Sequence, residues 1–260
     1  MRILDRYIYK LALEKQPLKE FQAKLKSIKE LEYYEVDNLE NLRVLGLPVV
    51  SLQAENIALQ TTFTPIRKQR FCIVDIETSG SKISTGQIIE IGALMVQDGK
   101  ILKRFESFVH CAYIPENIAR LTHISEVDLK DAPSLAMTLE QFRLFLGEAV
   151  FVAHNVNFDY YFISESLEKC GFGPLLNRRM CSIDLARKTL QAPKYGLAHL
   201  CEFLDIKAEQ MHRAYSDAKA AFIVFQKSLA NLPETIITTE DLIAFAKPNP
   251  PKKKKKVPKP

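Results

Sequence analysis

Phe71-Cys72-Ile73-Val74-Asp75-Ile76-Glu77-Thr78-Ser79-Gly80 is an apolar, β-prone run with two acids near its end and a turn signal closing it. The spacing predicts a buried strand over Phe71 to Glu77. Side chains alternate along a strand, so Asp75 and Glu77 face the same side. Adjacent carboxylates repel, and burying them unpaired is costly or forces one to keep its proton. An interior strand carrying such a pair calls for cations. The competing reading is an exposed strand with solvated acids, and Ile73, Val74 and Ile76 weigh against it.

Two further motifs carry acids. Val150-Phe151-Val152-Ala153 reads as a short strand, after which Tyr160, Ile163 and Leu167 recur at helical spacing, flanked by Phe158 and Phe162. Asn155 and Asp159 are four apart, so a helix starting near Asn155 puts both on one face at its positive end. A plain N-cap followed by a solvated aspartate would look the same. Downstream, Ala218, Ala221, Phe222, Phe225 and Leu229 form an apolar stripe with Asp217 beside it. On a helix His212 would stand about 140° away from Asp217. The expectation is therefore a loop histidine, with Asp217 in the first turns of the helix. A loop imidazole beside a cluster of acids suits a general base.

In this order and spacing the three motifs resemble those of the DnaQ-like, or DEDDh, family of 3′→5′ exonucleases, and among them the epsilon-type proofreading subunits of bacterial DNA polymerase III. The likeness runs from about Arg70 to Leu232. Asp75-Ile76-Glu77-Thr78-Ser79-Gly80 is similar to the family's first motif. Leu121-Thr122-His123-Ile124-Ser125 is similar to its substrate-side loop, where glycine is more usual at the position of His123. The tyrosine branch of these nucleases would carry Tyr where Arg213 stands, so the histidine branch fits.

The resemblance implies an α/β fold, a ribonuclease-H-like mixed sheet with flanking helices. It also implies two Mg²⁺ or Mn²⁺ ions at Asp75, Glu77, Asp159 and Asp217, since all-oxygen ligation disfavours zinc. Asp75, Glu77 and Asp217 are expected to hold the ion beside the attacking water, with Asp75 bridging to the second ion and Asp159 completing the cluster. His212 would take the proton of that water. Thr78 is implied to meet the 3′-terminal nucleotide, while Asn155 and, more weakly, His154 would orient the cluster. The implied partner is the 3′ end of single-stranded DNA, with a DNA polymerase and a sliding clamp as candidate protein partners. A relative that trims RNA or short oligoribonucleotides would have the same four acids. An adaptor built on an inactive nuclease fold is the alternative of another class, and the complete acid set weighs against it.

Composition bounds the rest. With 260 residues, 47% hydrophobic and 26% charged, the chain suits a globular core plus a small second module. The formal charge of +5 comes from the C-terminal end: without residues 247–260 and their seven lysines, 29 basic residues face 31 acidic ones, a net of −2. The body is not a general basic binder of nucleic acid. No apolar run approaches the roughly 20 residues that span a bilayer, and Met1 to Arg6 is not a secretory leader. Five cysteines without a C-x-x-C pair suggest neither a disulfide framework nor a zinc site, and point to a reducing cytoplasm.

Four segments are expected. Residues 1–62 carry three helical patterns, with Asp37 or Asn38 capping the third, and then two short strands. That pattern fits a winged-helix module and, equally, a helical docking domain. Residues 63–70 read as a polar linker, 71–232 as the exonuclease domain, and 233–260 as an extension ending in a disordered Lys/Pro-rich tail. Pro251 to Val257 resembles a nuclear-import signal, though contact with nucleic acid is the preferred reading of the tail. Glu240 to Phe245 resembles a short sliding-clamp-binding peptide. Asp98-Gly99 signals a hairpin between strands at Gln87 to Val96 and Ile101 to His110. His110 and His199 are expected to be structural or surface residues.

Overall fold

The computed structural model describes residues 2–207 and 212–248; the readings made on the Lys-rich tail lie outside the described residues. The N-terminal module contains α1 (Ile3–Leu13), β1 (Gln16–Pro17), α2 (Leu18–Lys26), α3 (Leu39–Val44), β2 (Val49–Leu52) and β3 (Asn56–Leu59). The larger part begins with β4 (Phe71–Thr78), β5 (Ile88–Gln97), β6 (Lys100–Phe108), α4 (Glu116–Thr122), α5 (Glu126–Leu129) and α6 (Leu135–Leu146). It continues through β7 (Val150–Ala153), α7 (Val156–Lys169), β8 (Arg179–Cys181) and α8 (Ser182–Thr189). It ends with α9 (Leu197–Phe203), α10 (Ala214–Leu229) and α11 (Thr239–Phe245).

A five-stranded sheet in the order β6-β5-β4-β7-β8 forms the centre. β4, β5 and β6 pair antiparallel in succession, whereas β7 pairs parallel with β4 and β8 parallel with β7. The β5–β6 hairpin turns where expected, with Asp98 and Gly99 both at positive φ (47° and 71°). β8 has no counterpart in the sequence reading. At three residues, with arginine and cysteine on either side of Met180, it is too short for alternation to register.

The pleat sorts β4 into two faces. Cys72, Val74 and Ile76 pack with Phe142 and Leu146 of α6 and with Ile163 and Leu167 of α7. Phe71 and Ile73 pack with Ala221, Phe222 and Phe225 of α10 and with Leu242 and Ile243 of α11. Asp75 and Glu77 continue this second face. The segment taken for a clamp-binding peptide is therefore core: Leu242 and Ile243 are buried and cannot be offered to a partner as a free peptide.

The N-terminal sheet has the order β1-β3-β2, all antiparallel, in a succession helix, strand, helix, helix, strand, strand. Asn38 caps α3 by accepting the Glu40 N–H at 2.9 Å. The one cation of α3, Arg43, is spent inside the module on the Val49 carbonyl (2.9 Å) and on Glu40 (2.6 Å). Leu176 of the larger part enters this module's core, and its N–H donates to the Leu45 carbonyl at 2.8 Å. Arg179 pairs with Asp5 at 2.8 Å and Arg2 with Glu165 and Glu168, so the module is bound to the β8 side of the sheet.

The stretch expected to act as a linker is tied down. The Thr64 carbonyl accepts the Thr239 N–H at 2.9 Å, and Ile66 N–H donates to the Ile237 carbonyl at 3.2 Å. Glu240 accepts from Thr61 and pairs with Arg178, each at 2.7 Å. The chain after 232 thus returns to brace the junction between the two parts.

One glycine sets the closeness of α10. Gly92 lies opposite Asp75 in the β4–β5 ladder, and a Cβ there would fall 2.2 Å from the Ala214 carbonyl carbon and the Tyr215 nitrogen. Gly92→Ala is expected to cost about 2–3 kcal/mol through this backbone clash. A urea titration checks it; an unchanged midpoint would mean that α10 can move off β5 freely.

Candidate active site

Two rises that nearly match place Asp217 over Asp75. Two residues of strand advance about 6.6 Å and one turn of helix about 5.4 Å. Stepping along β4 from Phe71 to Ile73 to Asp75 therefore keeps pace with stepping back along α10 from Phe225 to Ala221 to Asp217. The first rung is an aromatic contact, Phe71 to Phe225, with ring centroids 5.1 Å apart. The second joins Ile73 and Ala221 in one core. The third is the acid pair, and Asp217 is buried.

Asp159 arrives from the opposite face. β7 pairs with β4 only as far as Val74–Ala153, so β4 runs on without a neighbour on that side. α7 begins three residues later, and Asp159 in its first turn is buried there, accepting a hydrogen bond from the Ile76 backbone. It is not a solvated aspartate. The acids gather at the C-terminal ends of the parallel strands.

His212 lies on the loop before α10, as the angle argument required. Its φ is +60°, it is exposed, and its N–H donates to Asp217 Oδ2 at 3.1 Å. One ligand atom from each of Glu77, His212 and Asp217 falls within 4.8 Å of the others, close enough to hold one metal ion. The imidazole thus stands among the acids that the sequence reading assigned to metal, not apart from them.

The electrostatics are those of a site built for cations. Burial is the largest influence on each acid, and it raises them all. The carboxyl of Asp75 is pushed far up by burial and then by Asp159, Asp217, Glu77 and Glu90, although the residue keeps a little exposure at the opening. Glu77 is raised to about 8 by burial and then by Asp217, Glu90 and Asp159. Asp159 is raised to about 7 by burial, against the hydrogen bonds from backbone N–H groups. Asp217 is raised by burial, partly offset by the His212 N–H. Its Oδ1 is buried without a hydrogen-bond partner among the described residues. An orphaned carboxylate oxygen facing hard-oxygen neighbours fits a divalent cation.

The remaining residues of interest divide. Thr78 is buried at the end of β4, where the register with β5 shifts after Glu77. Asn155 precedes α7 in the left-handed region (φ 82°), exposed, and its side chain makes no cap to the helix, so the competing plain N-cap reading does not hold. Both ring nitrogens of His154 are engaged, with Ser182 Oγ and with the Tyr195 carbonyl, each at 2.9 Å. Burial lowers its pKa to about 4, so it is a neutral brace between β7 and α8. His123 ends α4 at φ 55°, adopting the left-handed backbone for which glycine is the usual choice. His110 Nδ1 meets the Leu129 and Lys130 carbonyls, a structural role. Glu90 was missed. It is 1% exposed on the face of Asp75 and Glu77 and opposes Glu77 in the ladder. The available signal was a lone acid inside the apolar run Ile88 to Leu94.

Fold and acid cluster together define a nuclease of ribonuclease-H-like architecture. The chain belongs to the exonuclease family named for RNase T, whose sequence profile matches residues 72–225. It is 34% identical over 184 residues to the PolC-type DNA polymerase III of Staphylococcus haemolyticus, an alignment covering 70% of this chain and 13% of that protein. The corresponding Staphylococcus aureus protein is 33% identical over 180 residues, covering 68% and 12%. The chain thus spans about an eighth of the length of these relatives. Among solved structures, the zinc-bound complex of Escherichia coli exonuclease I with single-stranded DNA gives a TM-score of 0.59 at 16% identity, covering 64% of this chain and 41% of that one. Exonuclease X in complex with 5′-overhanging duplex DNA gives 0.52 at 22%, covering 68% and 99%. At these identities the structural likeness is one of fold.

The raised carboxyls give stability a pH signature. Glu77 loses its proton near 4.5 when unfolded and near 8 when folded. Its contribution is present below pH 4.5 and is lost as pH rises through 8. In chelator, Glu77→Gln is expected to match the native protein near pH 4.5 and to melt about 5 °C higher at pH 8.5. Calorimetry at the two pH values checks this, and a gap that does not widen with pH would contradict the burial of Glu77.

Proposed function

We propose that this chain is a divalent-metal-dependent 3′→5′ exonuclease acting on the 3′ end of single-stranded DNA, in replication proofreading or repair. The observation that carries the reading is the convergence of Asp75, Glu77, Asp159 and Asp217 from three elements, with His212 beside them and Asp217 Oδ1 left without a partner. The proofreading role is drawn from the PolC-type relatives, and the DNA substrate also from the titles of the exonuclease complexes.

Asp75, Glu77, Asp159 and Asp217 would hold two Mg²⁺ or Mn²⁺ ions. Bound there, such ions neutralise the phosphodiester and ease ionisation of the attacking water. The chain's own part is geometric and acid–base. The carboxylates fix where the scissile phosphate sits, Asp217 also holds the His212 backbone, and the His212 imidazole takes the proton of the attacking water. Thr78, at the irregular end of β4, would meet the terminal nucleotide, and exposed Asn155 would orient the cluster. A cytoplasmic setting accords with five free cysteines, and among the described residues no helix is long and apolar enough to cross a membrane. A polymerase is the proposed protein partner. The proposal includes no clamp contact through α11, because its Leu242 and Ile243 are buried and Phe245 is half-buried.

Digestion of 3′-labelled single-stranded DNA and RNA, side by side with and without Mg²⁺, tests the reading. Mg²⁺-dependent shortening of DNA from the 3′ end is expected, RNA shortened faster would move the chain to the RNA-trimming class, and no shortening would refute the reading. Asp75→Ala and Asp217→Ala are expected to abolish hydrolysis with the fold intact. His212→Ala is expected to slow it about 10²–10⁴-fold with metal binding retained.

A further inference from the structure

We propose that the Glu90–Arg213 pair is a positioning device for His212, fixing the imidazole over the acid cluster. The inference rests on the exonuclease reading. Glu90 is 1% exposed, and both its oxygens are engaged. Oε1 accepts from Arg213 Nη2 at 2.9 Å and Nε at 3.2 Å, and Oε2 accepts from the Ala214 N–H at 3.0 Å. The guanidinium also lies over the Phe108 ring, 5.0 Å from its centroid. Arg213 is therefore held by β5 and by the end of β6, and the same Glu90 carboxylate also ties down the first residue of α10.

His212 is the next residue upstream. Its φ of +60° is a backbone state disfavoured for side chains with a Cβ. Such a state persists when the surroundings over-determine it. From its C-terminal side those surroundings are the Arg213–Glu90 fork and the bond from His212 N–H to Asp217 Oδ2 at 3.1 Å. Gly92 belongs to the same arrangement. It is two residues from Glu90 on the same face, and its missing side chain lets Ala214 approach closely enough to reach the Glu90 carboxylate. An acid buried only for fold stability would need any cation; this one takes a planar fork and a backbone N–H together, which sets direction as well as charge.

The test is a double-mutant cycle on hydrolysis of a 3′-labelled single-stranded DNA. Arg213→Lys keeps the charge and loses the fork. It is expected to lower kcat about tenfold with KM little changed, as misplacement of a catalytic group does. In a His212→Ala background the same change is expected to cost less than about twofold, because the group it positions is gone. Full additivity, or an Arg213→Lys enzyme with native kcat, would overturn the proposal. Should Arg213→Lys melt far below the native protein, the neutral pair Glu90→Gln/Arg213→Gln replaces it in the cycle, and the same two outcomes decide. A native enzyme without activity would instead refute the exonuclease reading, and this inference with it.

Discussion

Mutual repulsion among buried carboxylates is the constraint on which this molecule is organised. Asp75 faces Asp159, Asp217, Glu77 and Glu90 at once, and burial raises the cost of ionising any of them. Among the described residues, Glu90 is the one member of the five with an ion-pair partner, Arg213. The other four are left to share protons or cations. Such a cluster weakens the fold that carries it, and its assembly by three separate elements makes sense as preparation for divalent ions and a phosphate between them.

The architecture that tolerates this strain lies directly beneath it. The face that ends in Asp75 and Glu77 begins in Phe71 and Ile73, packed under α10 and α11. The apolar rungs of the β4–α10 contact secure the polar one. α11 and the N-terminal module then brace the other edge of the sheet, through Glu240 with Arg178 and through Asp5 with Arg179. The site is thus an extension of the hydrophobic core, sharing its register.

What could be read from the sequence was whatever depends on local period. Alternation put Asp75 and Glu77 together, and the helical angle put His212 on a loop. Asp159 was found, but the conformation of Asn155 beside it was not, since a left-handed residue before a helix looks like an ordinary cap in sequence. What escaped was set by distant contacts. β8 exists because β7 offers it an edge, and residues 63–70 are fixed because Thr239 and Ile237 return to them. His154 has the composition of a site residue, yet Ser182 and Tyr195 consume both its nitrogens. Glu90 was visible as a charge within an apolar strand, but its partner lies 123 residues away.

Calorimetric titration of Mn²⁺ into the metal-free protein at pH 7, repeated in two buffers of different ionisation enthalpy, tests the central claim most directly. At that pH Glu77, near 8, is mostly protonated and Asp159, near 7, is half protonated, so binding must expel protons. The account predicts saturable binding with net proton release, abolished in Asp75→Asn. Binding that releases no protons, or that survives the loss of Asp75 unchanged, would contradict it.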